Sequence, residues 1–116
     1  MNKIPHLVKV NKLNIENQHC IIINPVQKYL KKVITKYDEQ EISNLAQNIN
    51  LIVKYQKNIK IEKPTPSHFF GKGQVSNFKI FLDKYSSRLL LINCQISPVQ
   101  QRNLELSLNC KILDRI

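Results

Sequence analysis

Glycine occurs only twice in these 116 residues, alanine once and tryptophan not at all. The shortage of glycine excludes the familiar phosphate loops. A Walker loop needs a glycine, four intervening residues and then Gly-Lys-Ser/Thr, whereas Gly71 and Gly73 are separated by Lys72 alone. A dinucleotide fingerprint needs a strand leading directly in, where Pro64-Thr65-Pro66 stands here, and a third small residue at the place of Ser76. Cysteine is equally sparse. Cys20, Cys94 and Cys110 form no CxxC pair, and any one disulfide strands the third thiol, so they suit small buried hydrophobes in a reducing compartment. His6, His19 and His68 lack ligand-like spacing with each other or with the cysteines, and no metal site is expected.

Long apolar runs are missing as well. The longest, such as Leu89-Leu90-Leu91-Ile92, fall far short of the ~20 residues that span a bilayer. The start, Met1-Asn2-Lys3-Ile4-Pro5-His6, leads into no apolar stretch of secretory-signal type, so a cytoplasmic location is expected. Acidic residues are the last deficit: eight Asp and Glu face eighteen Lys and Arg, a net charge of +10. Such a balance points toward a polyanion, nucleic acid above all. Residues 1–37 carry +6, residues 38–62 carry −1 and residues 63–116 carry +5, so both ends are basic. Isoleucine, asparagine and lysine supply 44 residues, a bias that raises lysine everywhere and accounts for part of the charge.

What is present alternates. Residues 1–19 show no sustained period and are expected to form an arm or edge strand ahead of one domain spanning residues 20–116. Cys20-Ile21-Ile22-Ile23 is a short β-branched run of the kind covered on both faces, ended by Asn24-Pro25. Asp38 with Glu41 offers a capping-box-like helix start, followed by Ile42, Leu45, Ala46 and Ile49 at helical spacing. Leu51-Ile52-Val53 and Tyr55 predict a second strand that frays through Ile59 and Ile61. Val75, Phe78, Leu82 and Tyr85 predict a second helix, and Leu89-Leu90-Leu91-Ile92 a third strand. Ser97-Pro98-Val99-Gln100 combines an N-cap hydroxyl, a proline at the first helical position and a glutamine three residues after the cap. The helix it starts is expected to turn Val99, Leu104 and Leu108 inward, before a fourth strand at Cys110-Lys111-Ile112-Leu113. This order predicts a small α/β sandwich, a four-stranded parallel sheet flanked by helices.

No nucleophile elbow or paired carboxylate is visible, and Glu105 and Asp114 suit solvated or structural charges. Gly71-Lys72-Gly73 is either a turn that starts a helix or a backbone and Lys72 contact to a partner's phosphate. Phe69 and Phe70 are either packing anchors or stacking platforms for bases. Lys72, Lys79, Arg102, Lys28, Lys31 and Lys32 are the candidate RNA-binding cations, expected to share one exposed stripe. Arg102 and Asn103 divide between holding a neighbouring loop and reaching a partner.

Three segments together resemble the N-terminal domain of HflX-type GTPases: Phe69-Phe70-Gly71-Lys72-Gly73-Gln74-Val75, Ile96-Ser97-Pro98-Val99-Gln100-Gln101-Arg102-Asn103-Leu104-Glu105 and Lys111-Ile112-Leu113-Asp114-Arg115. The motif residues are Gly71, Gly73, Ser97, Pro98, Gln100, Arg102, Asn103, Asp114 and Arg115. Gln74 stands where the family commonly has lysine, and Ser76-Asn77 replaces a frequently acidic pair. The resemblance implies a domain that binds the large ribosomal subunit and its rRNA in a protein that splits or rescues ribosomes. It implies a GTPase domain further along the chain as a second partner, with GTP and Mg belonging there. The present chain, ending at Ile116 where the family continues, is on this resemblance a fragment or truncated product, with no cofactor and no enzymatic activity of its own. Two alternatives are an intramolecular regulator of the GTPase domain without RNA contact, and a nucleotide-binding α/β domain. No membrane span is implied.

Overall fold

A computed structural model describes residues 17–31 and 33–115. Four strands form one parallel sheet: β1 His19–Gln27, β2 Ile52–Ile61, β3 Leu89–Ile92 and β4 Lys111–Asp114, in the order β2-β1-β3-β4. Three helices connect them, α1 Lys36–Asn48, α2 Lys72–Lys84 and α3 Pro98–Leu108. The period of two along each strand divides the continuous apolar runs between two cores. Cys20, Ile22, Leu89, Leu91 and Leu113 pack with Ile42 and Ala46 of α1. Ile21, Ile23, Leu90, Ile92 and Ile112 face the other way, onto Phe78 and Leu82 of α2 and Leu104 and Leu108 of α3. Phe69 and Phe70 belong to this second core, and Phe70 meets Phe78 edge-on at 4.7 Å. They are packing anchors, too buried to stack on a base. Among the described residues no helix is long and apolar enough to cross a membrane.

Several boundaries differ from the sequence reading. β1 does not stop at Asn24-Pro25. Its pairing with β3 ends at Ile23↔Ile92, while pairing with β2 continues to Gln27↔Ile61, so Pro25 lies where one neighbour is already absent and a missing N–H is tolerated. For the same reason β2 is continuous to Ile61, which is buried rather than frayed. The N-cap of α1 is Thr35, not Asp38; Asp38 sits at the third helical position and its carboxylate accepts the Thr35 N–H at 3.0 Å. Val99 is 58% exposed because it lies five residues before Leu104, about 140° around the helix, and the inward places of that turn go to Gln100 and Gln101. Asp114 closes β4, and its buried Oδ2 accepts the Ile96 N–H at 3.0 Å. Of the two roles expected for Glu105 the structural one holds: with Gln101 it covers the free edge of β4, accepting the Ile112 N–H at 3.2 Å while Gln101 donates to the Ile112 carbonyl at 3.4 Å. Residues 1–16, with most of the expected arm, lie outside the described residues; Asn17 already donates to the Asn50 carbonyl at 2.7 Å.

Candidate functional site

In a parallel sheet every connecting helix begins at the carboxyl edge of the strands, so the first turns of α1, α2 and α3 share one side of the molecule. The start of α2 is the most open of the three. Gly71 is its N-cap and has no side chain to accept an amide, leaving half a capping box: Gln74 Oε1 takes the Gly71 N–H at 3.1 Å. Gln74 Nε2 donates onward to the Lys60 carbonyl at 2.9 Å, fastening the turn to β2. Neither glycine has a positive φ. A Cβ on Gly71 would lie 4.0 Å from Gln74 Oε1, and one on Gly73 would meet nothing within 4 Å. Glycine is therefore not demanded here by positive φ or internal packing, although it is an accepted N-cap at Gly71. What it leaves is bare backbone at a helix N-terminus, flanked by the exposed Lys72.

Beside this turn, a cleft of about 560 Å³ runs between α2, α3 and the loop of residues 64–70. Phe70, Val75 and Leu108 line its apolar part, and Lys72, Lys79 and His68 contribute its charged and titratable groups. Hydroxyls of Thr65, Ser67, Ser76 and Ser107 complete it. The loop is tightly held. Thr65 and Phe69 form a backbone bridge, the Thr65 hydroxyl accepts the His68 N–H at 3.1 Å, and Phe69 sits in the left-handed region at φ 67°. His68 is engaged on both ring nitrogens, Nδ1 with Ser67 Oγ at 2.8 Å and Nε2 with Ser107 Oγ at 3.2 Å.

The Ser-Pro motif explains how the loop is held. Ser97 Oγ accepts the Gln100 N–H at 3.1 Å and Gln100 Oε1 accepts the Ser97 N–H at 2.8 Å, a complete capping box with Pro98 at the first helical position. The other end of the same amide, Gln100 Nε2, donates to the Thr65 carbonyl at 2.8 Å. Asn103 Nδ2 donates to the Ser67 carbonyl at 2.8 Å. Asn103 is thus a loop-holding residue. Arg102 points elsewhere, into a shallow recess of about 340 Å³ with Pro98, Gln101 and Glu105.

Where the sheet order reverses, between β1 and β3, open α/β folds commonly bind ligands. Here the polar side chains at that place bond to one another. Asn24, fully buried, donates to Gln56 Oε1 at 2.7 Å and Asn58 Oδ1 at 3.0 Å and accepts from Asn93 Nδ2 at 2.8 Å. Arg115 Nη1 donates to Asn93 Oδ1 at 2.8 Å and lies 3.7 Å from Glu41 of α1, while Asn58 donates to Glu39 at 3.0 Å. Sequence reasoning missed this network, though a polar residue closing each apolar run (Asn24, Asn93, Asp114) was its visible sign.

Of the candidate cations, Lys72 and Lys79 line one cleft and Arg102 a separate recess. Lys28 pairs with Glu62 at 3.8 Å on the surface, Lys31 ends the 3-10 turn Lys28–Leu30, and Lys32 lies outside the described residues. The three thiols are free, and burial pushes each up to about 12, helped by Asp114 beside Cys94 and by Glu105, against Arg88, beside Cys110. Among the described residues no cluster of His, Cys, Asp and Glu could hold a metal ion.

A family model described as "GTP-binding GTPase N-terminal" matches residues 36–116. GTPase HflX of Magnetococcus marinus is 32% identical over 75 residues, 65% of this chain and 17% of that protein. GTPase HflX of Treponema denticola is 29% identical over 99 residues, 85% of this chain and 25% of the relative. The Flavobacterium psychrophilum protein of the same name is 25% identical over 108 residues, or 91% and 26%. The chain spans about a quarter or less of the length of these relatives.

Proposed function

The chain belongs to the GTP-binding GTPase N-terminal family, as an N-terminal domain of HflX type, and from that premise we propose that it is a ribosomal-RNA-binding module of a GTPase that acts on the large ribosomal subunit in splitting or rescue. Its chemistry is recognition, and GTP hydrolysis belongs to another domain of the full-length protein. The observation that carries this reading is the start of α2, where Gly71 caps the helix without a side chain and Gly73 adds none, leaving the first turn without a side-chain cap beside Lys72, with Lys79 further along the same cleft. Amides at a helix N-terminus together with lysines are what a phosphate backbone requires. The net charge of +10 supplies the long-range attraction. A nucleotide at the sheet's switch point is disfavoured, since Asn24, Asn93 and Arg115 already satisfy one another there.

The test is a titration of the chain against large ribosomal subunits at two salt concentrations, with Lys72→Glu/Arg102→Glu alongside. RNA contact predicts a steep salt dependence in the parent, and weaker binding with a flatter slope in the double variant at unchanged stability. A second reading, docking onto the GTPase domain of the same protein, draws support from the outer face of α3, where Val99 and Leu106 (76% exposed) flank Arg102. It moves ahead if the double variant binds subunits with the parent's affinity and slope.

A further inference from the structure

We propose that the cleft between α2, α3 and the 64–70 loop seats one unpaired nucleotide of an RNA strand, with its base against His68 and the apolar floor and its flanking phosphates on Lys72 and Lys79. This deepens the RNA-binding reading and rests on it. Duplex RNA presents phosphates and a shallow groove, and a protein that needs only those uses a flat basic surface. The volume of about 560 Å³ lies within the range of clefts that enclose small organic groups. Its composition is divided as a nucleotide is. Half-buried Val75, backed by the buried Phe70 and Leu108, forms an apolar floor, and the hydroxyl of Ser76, with the lone pairs that Ser67 and Ser107 keep beside their His68 bonds, meets the donors and acceptors of a base edge. Lys72 and Lys79 lie seven residues apart on α2, about 10 Å along its axis, so they bracket the cleft rather than converge on one anion.

The loop geometry agrees. A freely rotating imidazole would be a poor stacking surface, because ordering it would oppose binding; the two serine contacts of His68 hold its ring in advance. Behind it, Gln100 and Asn103 bond to the Thr65 and Ser67 carbonyls, and Phe69 is kept at positive φ. Side chains from α3 therefore hold the loop in a conformation that a bulky residue rarely adopts unaided. An occupant of other chemistry, an acidic peptide, would match the lysines but leave the apolar floor and the imidazole without a planar partner.

The experiment uses an RNA octamer with 2-aminopurine at one central position, free and as the duplex with its complement. Without tryptophan the chain leaves 2-aminopurine emission largely free of protein background. Ser76→Phe fills the cleft from an exposed helical position while keeping every charge. The parent should bind the single strand more tightly than the duplex and quench the 2-aminopurine. Ser76→Phe should lose about tenfold in single-strand affinity, lose the quenching and keep the salt slope. Lys72→Gln/Lys79→Gln should lower the slope by about 1.4. His68→Ala should reduce quenching while leaving the slope intact. If the single strand binds with the salt dependence of phosphate contact, yet Ser76→Phe binds it as tightly as the parent and neither protein quenches, the seat is wrong and RNA binding stands. If neither octamer nor large subunit binds in a salt-dependent way, the RNA reading itself fails. If poly-glutamate binds in a Ser76→Phe-sensitive manner and RNA does not, the cleft is a peptide site and the proposal is overturned.

Discussion

Asn24 holds the middle of the sheet with an amide that has no contact with water and three side-chain bonds. Removing it takes a partner from the half-buried Gln56 and Asn93, where an unsatisfied polar group costs roughly 1–3 kcal/mol, while the exposed Asn58 can turn to water. Asn24→Leu should therefore lower stability by about 2 kcal/mol or more in urea denaturation, although leucine is the more apolar residue. The cysteines act through the opposite property, their isolation. With thiols raised to about 12 in the folded state, their protons stay on where an unfolded chain has begun to lose them, near 9.0. The folded protein then binds more protons than the unfolded one between those values, so stability falls as pH rises through this window and is fully present below it. Cys20→Ala should shallow the decline of the urea midpoint between about pH 9 and 11. Ellman's reagent at pH 8 should label the folded chain slowly and the urea-unfolded chain at once.

At the scale of elements, α3 is the best specified. Hydroxyl, proline and glutamine at Ser97, Pro98 and Gln100 act within four residues, so local chemistry sets the helix start whatever the rest of the chain does. Ser97→Ala should cost about 1 kcal/mol, read from the thermal or urea transition, by depriving the Gln100 N–H of its acceptor. The start of α1 was harder to read because both Thr35 and Asp38 are able caps, and only the backbone, extended at Thr35, chooses between them. The end of β1 was invisible for a different reason. Proline stops a strand flanked on both sides, and whether β1 is flanked at Pro25 depends on how far the short β3 reaches. Val99 shows a third kind of failure: it is apolar but on the wrong side of its helix, and the inward position went to a glutamine that serves cap and loop together.

For the whole molecule, charge is the dominant feature. A net +10, eighteen basic groups against eight acidic ones, means that self-repulsion outweighs attraction even with surface pairs such as Lys28–Glu62 and Arg115–Glu41. Raising salt from about 20 mM to about 500 mM should raise the melting temperature in a thermal scan, since screening relieves that repulsion; a fall would show that ion pairs hold the fold. By itself the sequence determined the alternation of strands and helices, the parallel sheet and the cap of α3, because these follow from periodicity and contacts within a few residues. It also determined the family, through the spacing of Gly71 and Gly73, the Ser97–Asn103 motif and the closing Asp114-Arg115. Only the tertiary structure decided that Lys72 and Lys79 share a cleft while Arg102 lies apart, that Asn103 holds a loop, and that Asn24, Asn93 and Arg115 join. Those neighbours are separated by up to 69 residues along the chain, and side chains so far apart meet only after the sheet has brought the strand ends to one edge.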